Sequence, residues 1–175
     1  DEAYIEFSGQ SSLVAEIDRH PNLVVLQTFS KAWGLAGLRV GLAFAREKIV
    51  SLLGRIKPPY NVSQVAQEMI LSALDKRNEV KNVVCEIVDE RRRLAEHLAT
   101  FQCVEKVYPS NANFLLVKTT NAGVILRFLT DRGIVVRDRS GAPLCEGCLR
   151  ITVGRPEENR ALLNALSEYE ESIVH

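Results

Sequence analysis

The sequence predicts an α/β protein in two parts, a sheet-containing region up to about residue 78 and a smaller α/β region from residue 79 onward. Three observations predict this fold class. A β-branched run stands at residues 22–29, apolar residues recur at helical spacing between residues 62 and 98, and strand and helix patterns alternate from residue 113. We expect a mixed or parallel sheet in the first part, where ligands favour the carboxyl ends of strands.

The first part is predicted to hold two strands followed by helices. Residues 22–29 form an apolar run that is typical of a buried strand, and residues 39–45 indicate a second, short strand. A helix is expected over 46–56, and the next helix is capped by Asn61 or Ser63. The helical pattern then continues as a long helix that connects the two parts of the chain.

The second part is predicted to alternate strands with helices. Asn121 is a typical N-cap residue, and Gly133 marks the end of the helix that Asn121 begins. Pro156 suits the first position of a final helix. The expected strands are residues 113–118, 134–138 and 148–153.

Composition excludes several classes of partner. The 22 basic and 22 acidic side chains cancel, so no excess charge points to a nucleic acid or an acidic membrane surface. The apolar stretches are far shorter than the roughly 20 residues of a membrane helix. A small-molecule ligand is therefore expected, with no nucleic-acid and no membrane partner. The first residues lack an initiator Met and a signal-peptide pattern, so we expect the chain to be a fragment.

Four cysteines stand at positions 85, 103, 145 and 148. The Cys145-Glu-Gly-Cys148 pair has the spacing of a redox or zinc motif, but neither a second pair nor a nearby histidine accompanies it. We therefore expect reduced thiols, a cytoplasmic protein and no metal site.

A lysine follows the end of the first predicted strand, in Thr28-Phe29-Ser30-Lys31, and Arg39 follows shortly after it. A lysine that follows the end of a strand can form a covalent bond with an aldehyde cofactor, while a hydroxyl and a guanidinium bind its phosphate. On these residues alone, a solvated lysine beside a loop is an equal alternative.

The stretch TFSKAWGLAGLRVG, residues 28–41, resembles the cofactor-lysine signature of fold-type I pyridoxal-phosphate aminotransferases, in particular the histidinol-phosphate aminotransferase branch. Residues 1–4 (DEAY), 111–114 (NANF) and 149–154 (LRITVG) resemble three further motifs in the family's order. The resemblance implies the C-terminal half of such an enzyme. Residues 1–78 would be the C-terminal part of the cofactor-binding large domain, and residues 79–175 the connecting helix and the small C-terminal domain.

The resemblance also implies pyridoxal 5'-phosphate as the cofactor. Lys31 would form the Schiff base to it and later move a proton between the substrate's α-carbon and the cofactor's C4′. Asp1 would face the pyridine nitrogen, and Tyr4 would donate a hydrogen bond to the phenolic oxygen. The cofactor's phosphate would be bound by Ser30, Arg39 and, as a weaker candidate, Thr28.

Substrate binding is implied for the second part. Arg150 would pair with the α-carboxylate of an amino acid or oxo acid. Arg137 resembles the residue assigned to the substrate's distal phosphate, and a surface ion pair with Asp138 or Glu146 is an open alternative for it. Two further residues, Asn113 and Tyr60, are expected near the site.

The implied reaction is reversible amino-group transfer between L-histidinol phosphate and 2-oxoglutarate, in histidine biosynthesis, by a homodimer of the full-length enzyme. An aromatic or broad-specificity aminotransferase and a phosphothreonine-type decarboxylase of the same fold are alternatives, because they share the cofactor residues. A non-catalytic binding module that keeps the fold is a third alternative. We expect the fragment alone to hold the cofactor poorly.

Overall fold

A computed structural model describes residues 1–174 of the 175-residue chain. The chain divides into two compact units, Asp1–Val84 and a second unit that begins at Cys85. The division falls inside a long helix, Arg77–Leu98, and the boundary predicted after residue 78 lies in the same helix.

Unit 1 contains two strands, β1 (Val24–Thr28) and β2 (Gly41–Ala45). They pair antiparallel, with Val24 opposite Ala45 and Thr28 opposite Gly41. A parallel pairing was one of two predicted arrangements, and it is wrong for these strands because residues 29–40 turn the chain back without the crossover helix that parallel strands need. The expectation of a fully buried strand is also wrong for β1, because Val25 is buried while its neighbours Val24 and Leu26 are exposed.

Three helices follow the strands. They are α1 (Glu47–Ile56), α2 (Gln64–Asp75) and α3 (Arg77–Leu98). Ser63, rather than Asn61, is the N-cap residue of α2, because its side chain accepts a hydrogen bond from the backbone N–H of Ala66 at 3.2 Å.

Unit 2 contains β3 (Val104–Val107), β4 (Phe114–Thr119), α4 (Ala122–Thr130), β5 (Arg137–Asp138), β6 (Cys148–Thr152) and α5 (Pro156–Val174). Its strands form one antiparallel sheet in the order β3-β4-β6-β5. The predicted strand over 134–138 shortens to two residues, and β3 was not predicted because Glu105 and Lys106 interrupt its apolar pattern. Asn121 caps α4 as expected, accepting from the N–H of Val124 at 3.2 Å.

The core of unit 2 sets the direction of the side chains on β6. Leu149 and Ile151 are buried in a cluster with residues of β4, α4 and α5. Because side chains alternate along a strand, Arg150 points to the opposite face of the sheet. The packing of two apolar residues thus determines where this arginine lies.

The described cysteines are all free thiols, and Cys103 and Cys148 are buried. Burial and, to a smaller extent, the nearby Glu170 together raise the pKa of Cys103 to about 12. Burial also raises the pKa of Cys148.

Within residues 1–174, no three His, Cys, Asp or Glu side chains cluster as metal ligands, and no helix is both long and apolar enough to cross a membrane.

We predict that iodoacetamide at about pH 8 leaves Cys103 unmodified in the native protein, because the thiolate is the reactive form. Mass mapping before and after denaturation measures this protection, and equal labelling rates in both states would contradict it.

The folded pKa of Cys103, about 12, lies above the ordinary value of 9.0. The free energy of unfolding should therefore fall as the pH rises through this range, where only the unfolded thiol ionises.

Candidate active site

In unit 1, Lys31 lies in the loop that leaves β1 and returns to β2. Phe29 N–H donates to the carbonyl of Val40 at 3.4 Å, which closes the base of this loop. The buried Phe29 ring also meets Trp33 edge-on, with 5.7 Å between the ring centroids. A closed base and an aromatic contact hold the backbone beside Lys31, while the Lys31 side chain itself is exposed.

The candidate phosphate residues lie at the two ends of this loop. Thr28 Oγ1 accepts a hydrogen bond from the N–H of Ser30 at 3.0 Å, so its hydroxyl shapes the turn into the loop. Arg39 is exposed, adopts the left-handed conformation with a φ of 56°, and donates from Nη1 to the carbonyl of Ala36 at 3.0 Å. A non-glycine residue in this conformation is uncommon, and such strain concentrates at functional sites.

Tyr4 lies beside the lysine. Lys31 Nζ is 5.4 Å from the centroid of the Tyr4 ring. The segment that carries Tyr4 is fastened to β1, because Glu2 N–H donates to the carbonyl of Leu26 at 2.8 Å. Asp1 Oδ1 accepts from the N–H of Ala3 at 3.0 Å, which folds the first residues into a tight turn.

The donor set of unit 1 suits a ligand that carries an aldehyde, a phosphate and a basic ring nitrogen. Lys31 offers a primary amine, Arg39 a guanidinium, and Asp1 a carboxylate. None of the residues that the structure describes forms an ion pair with Lys31 or Arg39. Both cations therefore remain available for an anionic ligand.

In unit 2, Arg150 has a buried atom that lacks a partner. Its Nε is buried and has no hydrogen-bond partner within the described part of the chain. The guanidinium carbon lies 5.1 Å from the centroid of the Phe114 ring, a cation–π distance. Leaving a buried donor unpaired is costly, about 1–3 kcal/mol and more for a charged group. A ligand anion at this position would remove that cost.

Arg137 is the cross-strand neighbour of Arg150, because the two residues are directly paired between β5 and β6. Paired residues project from the same face of a sheet, and like charges there repel. Both line a cleft of about 380 Å³. The alternative ion pair of Arg137 with Asp138 or Glu146 is not formed among residues 1–174. Asp138 accepts from the N–H of Ser140 instead, at 2.8 Å.

The two remaining candidates lie in different units. Asn113 precedes β4, and its carbonyl accepts from the N–H of Val153 at 3.0 Å, next to the end of β6. Tyr60 is 98% exposed in unit 1 and has a φ of 56°. The candidate residues therefore divide between the two units, with Lys31 and Tyr4 close together in unit 1 and Arg137 and Arg150 paired in unit 2.

Two polar side chains, whose contacts the sequence did not predict, hold the ends of β4 and β6. Buried Asn159 accepts from the N–H of Gly154 at 2.9 Å and donates to its carbonyl and to Glu90 Oε2, both at 3.0 Å. Arg91 Nη1 donates to the carbonyl of Ala112 at 2.6 Å, just before β4. The signal that could have found the first contact is an amide side chain in the opening turn of a helix that begins at a proline.

Comparisons with known proteins find this chain similar to aminotransferases. The model of the family described as aminotransferase class I and II matches residues 1–166. The histidinol-phosphate aminotransferase of Parabacteroides distasonis is 51% identical over 166 residues, which are 95% of this chain and 48% of that protein.

Two solved structures are also similar. Histidinol-phosphate aminotransferase from Sinorhizobium meliloti, in complex with pyridoxal-5'-phosphate, has a TM-score of 0.85 and 29% identity over 99% of this chain and 48% of that one. L-threonine-O-3-phosphate decarboxylase from Porphyromonas gingivalis has a TM-score of 0.87 and 26% identity, covering 98% and 54%.

The chain belongs to the aminotransferase class I and II family. The fold predicted from the sequence, part of a fold-type I large domain followed by a small C-terminal α/β domain, is confirmed by these structures. The predicted resemblance to the histidinol-phosphate aminotransferase branch is confirmed by the curated relatives, which carry that name. The chain spans about half the length of the curated relatives it matches.

Proposed function

We propose that this chain forms the lysine-bearing part of a pyridoxal-phosphate-dependent aminotransferase that exchanges an amino group between L-histidinol phosphate and 2-oxoglutarate, in histidine biosynthesis. The observation that carries the proposal is the Lys31 amine in the loop after β1, which lies 5.4 Å from the centroid of the Tyr4 ring and makes no ion pair within residues 1–174. The 51% identity to a histidinol-phosphate aminotransferase supports this choice of substrate. We propose a cytoplasmic protein, which the free thiols of the described residues support, and a homodimer of the full-length enzyme, which the family resemblance implies.

Pyridoxal phosphate would supply an aldehyde that captures the substrate's amine and a ring that withdraws electrons from the α-carbon. Lys31 Nζ would hold the cofactor and then carry a proton to and from the α-carbon. The Asp1 carboxylate would keep a proton on the ring nitrogen, and the Tyr4 hydroxyl would orient the ring. The phosphate would be held by Arg39, whose planar guanidinium binds two oxygens at once, with Ser30 and Thr28 beside it.

The arginines of unit 2 would bind the substrates. Arg150 would pair with the α-carboxylate of 2-oxoglutarate and glutamate, supplying its buried Nε–H with an acceptor. L-Histidinol phosphate carries a phosphate ester of a CH2OH group in place of that carboxylate, so its phosphate must carry more of the recognition. We assign this phosphate to Arg137, the cross-strand neighbour of Arg150. Asn113 and Tyr60 remain candidates for lining the site.

We predict that Arg137→Ala raises the KM for L-histidinol phosphate far more than the KM for L-histidinol, because a phosphate contact contributes nothing when phosphate is absent. The amino-donor half-reaction of the intact protein should be measured with both donors. Arg127→Ala is the matched control, since Arg127 is exposed on α4 and lies outside the cleft of Arg137. Equal losses with the two donors would contradict the assignment of Arg137.

A decarboxylase is the second candidate function, because L-threonine-O-3-phosphate decarboxylase has a similar fold over 98% of this chain. Product analysis separates the two activities. The proposed aminotransferase converts L-histidinol phosphate and 2-oxoglutarate to a keto product and glutamate, whereas the alternative releases carbon dioxide from L-threonine O-3-phosphate. Turnover of phenylalanine at a rate equal to that of histidinol phosphate would instead favour a broad-specificity aminotransferase. A non-catalytic module would turn over none of these compounds.

A further inference from the structure

Glu2 occupies the centre of a hydrogen-bond network in unit 1 that has no role in the proposed function so far. Its Oε2 accepts from Ser12 Oγ at 2.7 Å and from Gln27 Nε2 at 2.9 Å, and its Oε1 accepts from the N–H of Leu13 at 2.7 Å. Gln27 Nε2 also donates to Ser12 Oγ at 3.2 Å. Bonds to an ionised carboxylate are about twice as strong as neutral ones. Three donors therefore converge on one carboxylate.

This network joins Asp1 to the strand that leads to the lysine. Gln27 lies in β1, and the backbone N–H of Glu2 donates to Leu26 of the same strand at 2.8 Å. Glu2 is thus hydrogen-bonded to two consecutive residues of β1, to Leu26 through its backbone and to Gln27 through its side chain. Asp1 immediately precedes Glu2, and Lys31 follows the end of β1 by three residues.

The register between this first segment and β1 determines where Asp1 and Tyr4 lie relative to Lys31. A slip by one residue along a strand displaces a side chain by about 3.3 Å and reverses the face to which it points. A misplacement of even about 1 Å can reduce catalysis on the order of 100-fold. Leu26 contributes only a backbone carbonyl, which any residue offers, whereas the Glu2 side chain recognises Gln27 specifically.

We propose that Glu2 is a positioning residue, which holds Asp1 and Tyr4 in register with Lys31 through its bonds to Ser12, Leu13 and Gln27. The inference rests on the proposed function, because positioning matters only if Asp1 and Lys31 bind one cofactor. Glu2 itself contacts neither the cofactor nor the substrate in this proposal.

The electrostatics of the network agree with an ionised Glu2. Burial tends to raise the pKa of Glu2, but the hydrogen bonds from Gln27, Ser12 and Leu13 outweigh that effect and hold the pKa below its usual value of 4.5. The carboxylate is therefore charged at neutral pH, and all three of its neighbours act as donors. A glutamine at position 2 would turn an amide N–H₂ toward these donors and lose at least one bond.

The test is Glu2→Gln in the intact protein, with Glu16→Gln as the matched control. Glu16 lies close by in the chain, and its ion pair with the exposed Arg19 contributes little. Two quantities should be measured, the Kd of pyridoxal phosphate for the apoprotein and the pH at which the visible absorbance of the bound cofactor titrates. The second depends on the charge that Asp1 places beside the ring, so a purely structural role would leave it unchanged.

We expect Glu2→Gln to weaken cofactor binding about 10- to 100-fold, because Asp1 and Tyr4 are displaced together, and to shift the absorbance titration. Glu16→Gln should equal wild type in both measurements. If Glu2→Gln does not fold, Ser12→Ala takes its place in the test. Ser12→Ala removes one donor without introducing a misplaced one, so it should change both quantities in the same direction but by a smaller amount. A wild-type Kd and a wild-type absorbance titration in both Glu2→Gln and Ser12→Ala would overturn the positioning role of Glu2 and leave the proposed function intact. A wild-type protein with no cofactor absorbance would overturn both.

Discussion

Replacing Lys31 with Ala is expected to abolish amino-group transfer and the pH-dependent visible absorbance of the bound cofactor. In the proposed site, Lys31 supplies both the amine that holds the cofactor and the base that moves the α-proton, so its loss removes two functions at once. Steady-state turnover with L-histidinol phosphate and absorbance spectra recorded across a pH range measure the two losses separately.

The matched control is Lys48→Ala, which removes an exposed lysine from α1 in the same unit. This variant should retain wild-type turnover and absorbance. Near-normal turnover of the Lys31→Ala protein would contradict the proposal that Lys31 holds the cofactor and moves the α-proton. Loss of turnover in both variants would point to a general effect of removing positive charge from unit 1.

Replacing Asp1 with Asn is expected to leave the cofactor bound while slowing the proton transfer by orders of magnitude. An amide cannot keep the ring nitrogen protonated, and a neutral pyridine is a poor electron sink. The lysine and the phosphate contacts remain, so binding should change much less than rate. Single-turnover absorbance changes with L-histidinol phosphate measure the rate, and titration of the apoprotein measures the binding.

Asp75→Asn is the control for this prediction, because Asp75 is an exposed residue at the end of α2. It should behave as wild type in both measurements. Unchanged single-turnover kinetics in Asp1→Asn would mean that Asp1 does not face the ring nitrogen. Loss of binding equal to the loss of rate would show that Asp1 holds the cofactor rather than tuning it.

Local sequence signals predicted much of the fold. Ser63 and Asn121 cap helices because short polar side chains satisfy N–H groups that a helix leaves open, and this depends only on neighbouring residues. Strand pairing was harder to predict. The direction in which β1 meets β2 depends on how residues 29–40 fold, and β3 lies at a sheet edge where its polar residues hide the pattern.

The candidate site, like the fold, could be predicted only in part from the sequence. Lys31 and Arg150 could be assigned through motifs that resemble a family, because each motif is continuous in sequence. The contacts around them join distant residues, such as Glu2 with Gln27 and Arg137 with Arg150. Nothing in the local sequence specifies that Arg137 and Arg150 are paired, because the register of β5 and β6 depends on packing across unit 2. Sequence patterns therefore predict candidate reactive residues more readily than the contacts that surround those residues.

Peptide mapping after borohydride reduction determines whether Lys31 is the attachment point of pyridoxal phosphate. Borohydride converts a lysine–aldehyde linkage to a stable amine, so the modified lysine keeps the cofactor's mass through digestion. The intact protein should be reduced with pyridoxal phosphate bound and then mapped by mass spectrometry. We predict the added mass on the peptide that contains Lys31 and none on Lys48 or Lys57. Modification of another lysine, with Lys31 unmodified, would show that Lys31 is not the attachment point.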